Sequence, residues 1–220
     1  MVPPHRERRE IPLGDYACVM TPSSGAGRGP VVTSIAVPIT ARGHRSPDEQ
    51  MMVRFPGIYR ASAGIVRRFL RPDMRLRRWF VRRAVVSGWA AAQRRDFELM
   101  LLRYSPDVLY EADAGFQALG VPGAARGRAE MANVIVEILD AWDRQELAPV
   151  LVVDLADSLI VLGRTRVHGP ASGIELDIEL AQLLTLERGL VTRERDFNHW
   201  DDALRAASLD PTALDLPGRR

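Results

Sequence analysis

Between residues 147 and 198 four runs rich in branched and apolar side chains follow one another, Leu147 to Asp154, Leu159 to Val167, Gly173 to Glu187, and Leu190 to Asn198. Only Ala156-Asp157-Ser158, His168 to Ser172, and Arg188-Gly189 separate them. Connections this short make consecutive strands antiparallel neighbours, and Gly189 offers the positive φ that a tight hairpin needs. The second half of the chain therefore reads as a four-stranded meander, which needs an apolar layer to cover one face.

The preceding residues supply that layer. From Asp73 onward, Leu76, Phe80, Val81, Ala84, Val85, Gly88, Trp89 and Ala92 recur at helical spacing. Asp96 is a good N-cap for a second, short helix that ends before Pro106, and Asp107 to Glu111 reads as a strand. Ala112 to Gly127, with its glycines and Pro122, reads as a long loop. Met131, Val134, Ile135, Ile138, Leu139 and Trp142 then mark one face of a helix that must be buried on a sheet. Helices first and an antiparallel meander afterwards give an α+β domain, a curved sheet packed on N-terminal helices.

The front of the chain differs from the body. All 30 basic residues are Arg, and residues 1 to 83 carry a net charge of +10 against −8 for residues 84 to 220. Residues 1 to 50 are rich in Pro, Gly and Ser and read as a disordered extension. The run Val31 to Ile39 is read as non-strand because of Pro38 and its isolation. Met51 is the expected biological start. Only Cys18 is present, so no intramolecular disulfide and no cysteine-based zinc site is possible. Met1 to Met20 holds no apolar export segment, and no stretch approaches the roughly 18 apolar residues of a spanning helix, so a cytoplasmic location is expected.

Three stretches, RRDFELMLLRYSPDVLYEAD, LVVDLADSLIVLGRTRVHG and LERGLVTRERDFNHWDDAL, resemble the SnoaL-like polyketide cyclase family. The resemblance runs from about Val85 to Leu209. It implies the nuclear transport factor 2-like fold, a cone of helices and curved sheet enclosing a pocket, and a homodimer formed through the outer sheet face. It divides the chain into an extension at 1–50, a basic helical lead-in at 51–84, the domain at 85–209 and a tail at 210–220. In the founding cyclases an Asp on the last long strand acts as general acid and base, and Asp196 stands at the matching position. Those cyclases place a His on the preceding strand where this chain has Gln182, which orients a carbonyl by hydrogen bonding but cannot shuttle a proton.

Strand alternation places Thr192, Glu194, Asp196 and Asn198 on one face. If that face is concave, two carboxylates share an apolar pocket and hold their protons tightly; if not, they form a solvated, salt-bridged edge. Tyr104, Tyr110, Phe116, Trp142 and Gln182 are candidates to line a pocket for an apolar or ring-containing molecule, with core packing as the plainer role for each. Glu111 and Asp113 border the expected mouth. No cofactor or metal is expected, since His5, His44, His168 and His199 have no metal-binding spacing. The segment 54–83 has ten Arg and a single acid, with Ile65, Phe69, Leu76, Trp79 and Phe80 interleaved. It suits an anionic membrane surface, or it folds back on the acidic body; no nucleic-acid motif accompanies the charge.

Overall fold

A computed structural model describes residues 31–34, 43–141, 144–155, 157–168, 175–214 and 216. In chain order these form β1 (Val31–Ser34), α1 (Pro47–Arg54), α2 (Pro56–Phe69), α3 (Arg75–Gln93), α4 (Phe97–Leu101) and β2 (Tyr104–Ala112). They continue with α5 (Ala114–Ala118), β3 (Ala124–Arg126), α6 (Gly127–Asp140), β4 (Arg144–Asp154), β5 (Ser158–His168), β6 (Glu175–Glu187), β7 (Leu190–Phe197) and α7 (Trp200–Ala206). A 3₁₀ turn at Pro211–Ala213 follows.

One mixed sheet has the order β1-β4-β5-β6-β7-β2-β3. The expected meander is its centre, and every pair within it is antiparallel. β2 joins β7 in parallel, which extends the sheet past the last hairpin. Two expectations fail here. Val31–Ser34 does form a strand, because β4 supplies an open edge that the sequence pattern did not reveal. The stretch Ala112 to Gly127 is no plain loop, since Asp113 caps α5 by accepting from the Phe116 N–H at 2.8 Å and β3 pairs with β2.

The two sheet faces bury different layers. On the concave face, α3 lays Val81, Val85, Trp89 and Ala92 against Val152, Leu159 and Val161. There α6 lays Met131, Val134 and Ile135 against Val108, Tyr110 and Val191. On the convex face, Leu151, Val153, Ile160, Leu162 and Phe197 pack against Trp200, Leu204, Leu214 and Leu216. The segment read as a tail at 210–220 is thus partly core. Leu214 and Leu216 pack on part of the outer face through which a homodimer was expected.

Residues 43–50, read from sequence as part of a disordered extension, belong to the fold together with the lead-in. Glu49 is buried and accepts from the Ser87 hydroxyl at 2.8 Å and from Arg94 at 3.0 Å. Arg45 donates twice to Asp96 at 2.6 Å. A boundary at Met51 would therefore cut α1 and remove these ties. Deeper in, Arg77 donates through two nitrogens to Asp154 at 2.7 Å and also to the carbonyl of Leu70 at 2.8 Å, fastening α3 to β4 and to the end of α2. α2 meets the β6–β7 hairpin at Gly189, whose φ is +82° and whose hypothetical Cβ would lie 2.5 Å from the Gly64 nitrogen. Only glycine fits that approach.

Glu49→Ala leaves the Arg94 cation and the Ser87 hydroxyl buried without their acceptor. Unfolding in urea should show a loss of about 3–5 kcal/mol. A loss below about 1 kcal/mol would mean that the residues before Met51 lie outside the folded unit.

Candidate functional site

The concave face and its helices enclose a cavity of about 210 Å³, walled by Val85, Trp89, Met131, Val134, Leu180 and Leu184 among other apolar side chains. An apolar cavity of about 150 Å³ suffices to hold a benzene ring. Into this wall β7 projects Glu194 and Asp196, which are only 2% and 7% exposed. The concave alternative is the one realised.

Strand register explains their partners. Gln182 on β6 is directly opposite Asp196, and Tyr110 on β2 lies beside Glu194. The Tyr104 hydroxyl donates to Glu194 Oε2 at 2.5 Å, and Gln182 Nε2 donates to Glu194 Oε1 at 2.7 Å. The Tyr110 hydroxyl donates to Asp196 Oδ2 at 3.3 Å. Trp89 Nε1 in turn donates to Gln182 Oε1 at 3.0 Å, which fixes the amide orientation. The Trp89 ring rests on Gly163, where a Cβ would come within 2.1 Å of it.

Three of the four carboxylate oxygens thus have a donor, and the fourth, Asp196 Oδ1, is buried with none among the described residues. Two carboxylates in apolar surroundings resist ionising together. Burial pushes the Asp196 carboxyl well above the usual carboxylate range, and the neighbouring Glu194 charge pushes it further. Burial raises Glu194 as well, while hydrogen bonds from Tyr104 and Asp196 hold it down. One proton is therefore shared by the pair, and its titration belongs to both residues. The Tyr104 and Tyr110 hydroxyls are raised by burial and by the same carboxylates, so they remain donors.

Of the residues singled out from sequence, Tyr104, Tyr110, Phe116, Gln182, Glu194 and Asp196 all line the cavity. Glu111 does not. It sits on the opposite face of β2, accepting from Arg193 at 2.7 Å. Asp113 is committed to capping α5 and to the Asn198 N–H at 3.2 Å, so neither it nor Asn198 reaches the cavity. The reason is that β7 ends at Phe197 and its alternation stops there. Trp142 lies outside the described residues. Sequence reasoning missed Trp89 and Arg103 as wall residues. Trp89 was visible only as one member of the α3 stripe, and Arg103 was hidden by an all-arginine composition. Among the described residues no cluster of three His, Cys, Asp or Glu side chains could hold a metal ion.

The element order and the helix-lined concave face decide the fold class. The chain has the nuclear transport factor 2-like fold. No family model matches it, and no curated protein does. Among solved structures it is similar to TerC co-crystallised with polyporic acid, at 22% identity over 58% of this chain and 95% of that one, with a TM-score of 0.48. It is also similar to a nuclear transport factor 2-like protein of unknown function from Burkholderia pseudomallei, at 23% identity over 56% and 93%, TM-score 0.48. A third, from Catenulispora acidiphila, has a ketosteroid isomerase-like fold and is in complex with trimethylamine, at 12% identity over 58% and 93%, TM-score 0.46.

The shared proton fixes the sign of a pH effect. A carboxyl raised in the folded state binds more protons there than in the unfolded chain, so stability is full below the unfolded value of about 4 and falls as pH rises through the folded value. Asp196→Asn removes the repulsion. It should raise the unfolding free energy at neutral pH by about 0.5–2 kcal/mol and flatten the pH dependence. Destabilisation at neutral pH with an unchanged pH profile would show the pair to be ordinarily ionised.

Proposed function

We propose that this chain is a SnoaL-like acid–base catalyst that moves a proton on a carbon next to a carbonyl in an apolar, ring-containing molecule. The observation that carries the reading is the buried pair at the wall of an apolar cavity, with one oxygen, Asp196 Oδ1, that has no donor among the described residues. With one proton between them, the two carboxyls offer one proton to give and one lone pair to receive another. Asp196 passes the pair's own proton to Glu194, and its Oδ1 takes the carbon-bound proton. The carbon's electron pair passes to the carbonyl oxygen, and that oxygen accepts from Gln182, which keeps a second N–H beyond the one given to Glu194. Return of the proton to a different carbon isomerises the substrate; attack of the enolate carbon on a second carbonyl of the same molecule closes a ring.

A non-catalytic reading is favoured by one observation. Ile58, Ile65, Phe69 and Trp79 project from α2 and α3 at 57% exposure or more. Arg67 and Arg77 turn inward to Asp154 and Arg83 reaches Asp48, so part of the basic segment does fold back on acidic side chains. Arg54, Arg68, Arg71, Arg75 and Arg82 remain exposed beside the apolar residues. That surface suits contact with an anionic membrane or a partner, with the cavity as a passive ligand site. Among the described residues no helix is long and apolar enough to cross a membrane.

Deuterium incorporation from solvent into 2-tetralone and related cyclic ketones separates the two readings. The chain should exchange the protons next to the carbonyl faster than buffer, and Asp196→Asn should reduce the excess rate about 10²–10⁴-fold. Exchange at the buffer rate, or an excess that survives Asp196→Asn, would leave only the non-catalytic reading.

A further inference from the structure

The proton site uses Asp196, Glu194 and Gln182, yet a strong polar group elsewhere on the same wall remains unused. Arg103 lines the cavity, and its Nε and Nη2 are buried without a hydrogen-bond partner among the described residues. A guanidinium stays charged at any ordinary pH, and buried donors without acceptors are costly. No ion pair joins Arg103 to a described carboxylate, and Glu194 is already engaged by Tyr104 and Gln182.

The chain nevertheless holds Arg103 in place. It follows α4 directly, and its carbonyl accepts from the Val191 N–H at 2.8 Å, which pins it to the start of β7. Its Nη1 lies against Gly88, where a Cβ would sit 2.2 Å from that nitrogen. Gly88 interrupts the α3 stripe between Val85 and Trp89, so the space for the guanidinium is a missing side chain. Met100, Leu186 and Val191 are among the apolar residues of the same cavity wall.

Position along the strands then relates Arg103 to the proton site. The Arg103 backbone stands at the Val191 level, and Asp196 is further along the same strand, a backbone separation of roughly 16–17 Å for about 3.3 Å of rise per residue. We infer that the pocket takes an elongated, mostly apolar ligand carrying a carboxylate at one end, which docks on the Arg103 Nε and Nη2 fork and delivers the far end to Asp196. Carboxylate docking follows from the unpartnered Arg103 nitrogens alone, and delivery of the far end to Asp196 rests on the proton-transfer reading above. A guanidinium matches a carboxylate through two parallel N–H donors, which gives orientation as well as affinity.

The test is a calorimetric titration of the full chain with a homologous series of ω-(2-naphthyl)alkanoic acids and their primary amides. The amides keep shape and length but lose the charge. The acid of optimal length should bind about 10–100-fold more tightly than its amide, the range expected for charge-assisted hydrogen bonds. Arg103→Gln should abolish that preference while leaving the amide's Kd unchanged, which also reports that the pocket is intact. Arg103→Lys should keep part of it. Equal affinity of acid and amide in the wild type, absence of saturable binding in both series, or a preference that survives Arg103→Gln would overturn the inference. The two ideas fail separately: acid preference without deuterium exchange removes only the catalytic reading, and exchange without acid preference removes only the role of Arg103.

Discussion

Two carboxyl groups, Glu194 and Asp196, sit side by side in a wall of hydrocarbon, and the structure around them is arranged so that this arrangement can persist. An isolated buried carboxylate is strongly unfavourable, and two adjacent ones more so. The strain is relieved in two ways. One proton is retained between the pair, and three neighbouring donors, Tyr104, Tyr110 and Gln182, are aimed at three of the four oxygens. Each donor depends on strand register: the antiparallel β6–β7 pairing brings Gln182 opposite Asp196, and the parallel β2–β7 pairing brings Tyr110 beside Glu194. Slipping either strand by one residue would turn these side chains to the other face.

Support then extends outward. Gly163 lets the Trp89 ring approach β5 closely, Trp89 orients the Gln182 amide, and that amide donates to Glu194. α3, which carries Trp89, is fastened to β4 through the buried Arg77–Asp154 pair. On the far side, α7, Leu214 and Leu216 pack on the convex face, and the indole of Trp200 donates to the Gly163 carbonyl at 2.9 Å. The same glycine therefore receives one tryptophan on each face of the sheet. Helix packing, sheet register and site chemistry meet at that position.

Much of this was legible in the sequence because it depends on local periodicity. The four β runs, the α3 and α6 stripes, the Asp96 cap and the Gly189 turn all follow from spacing within a window of a few residues. Alternation also placed Glu194 and Asp196 on one face, and the structure brings six of the ten candidate site residues to the cavity. What escaped depends on distant partners. β1 needed knowledge of the open β4 edge, and α1 needed Glu49 to find Ser87 and Arg94. Asp113 and Asn198 were misplaced because a helix cap and a strand end took them. Whether the Glu194 face is concave or solvated is likewise a tertiary matter, since alternation marks a face but not the side on which helices settle.

The chemistry of the site depends on protonation of the pair, and ¹³C NMR of specifically labelled Asp and Glu side-chain carboxyls, followed across a pH titration, reads it directly. One carboxyl of the pair should stay protonated through neutral pH, and Asp196→Asn should return Glu194 toward the ordinary range. If both signals titrate near 4, the pair is fully ionised at neutral pH, and a proton shared between Glu194 and Asp196 is ruled out.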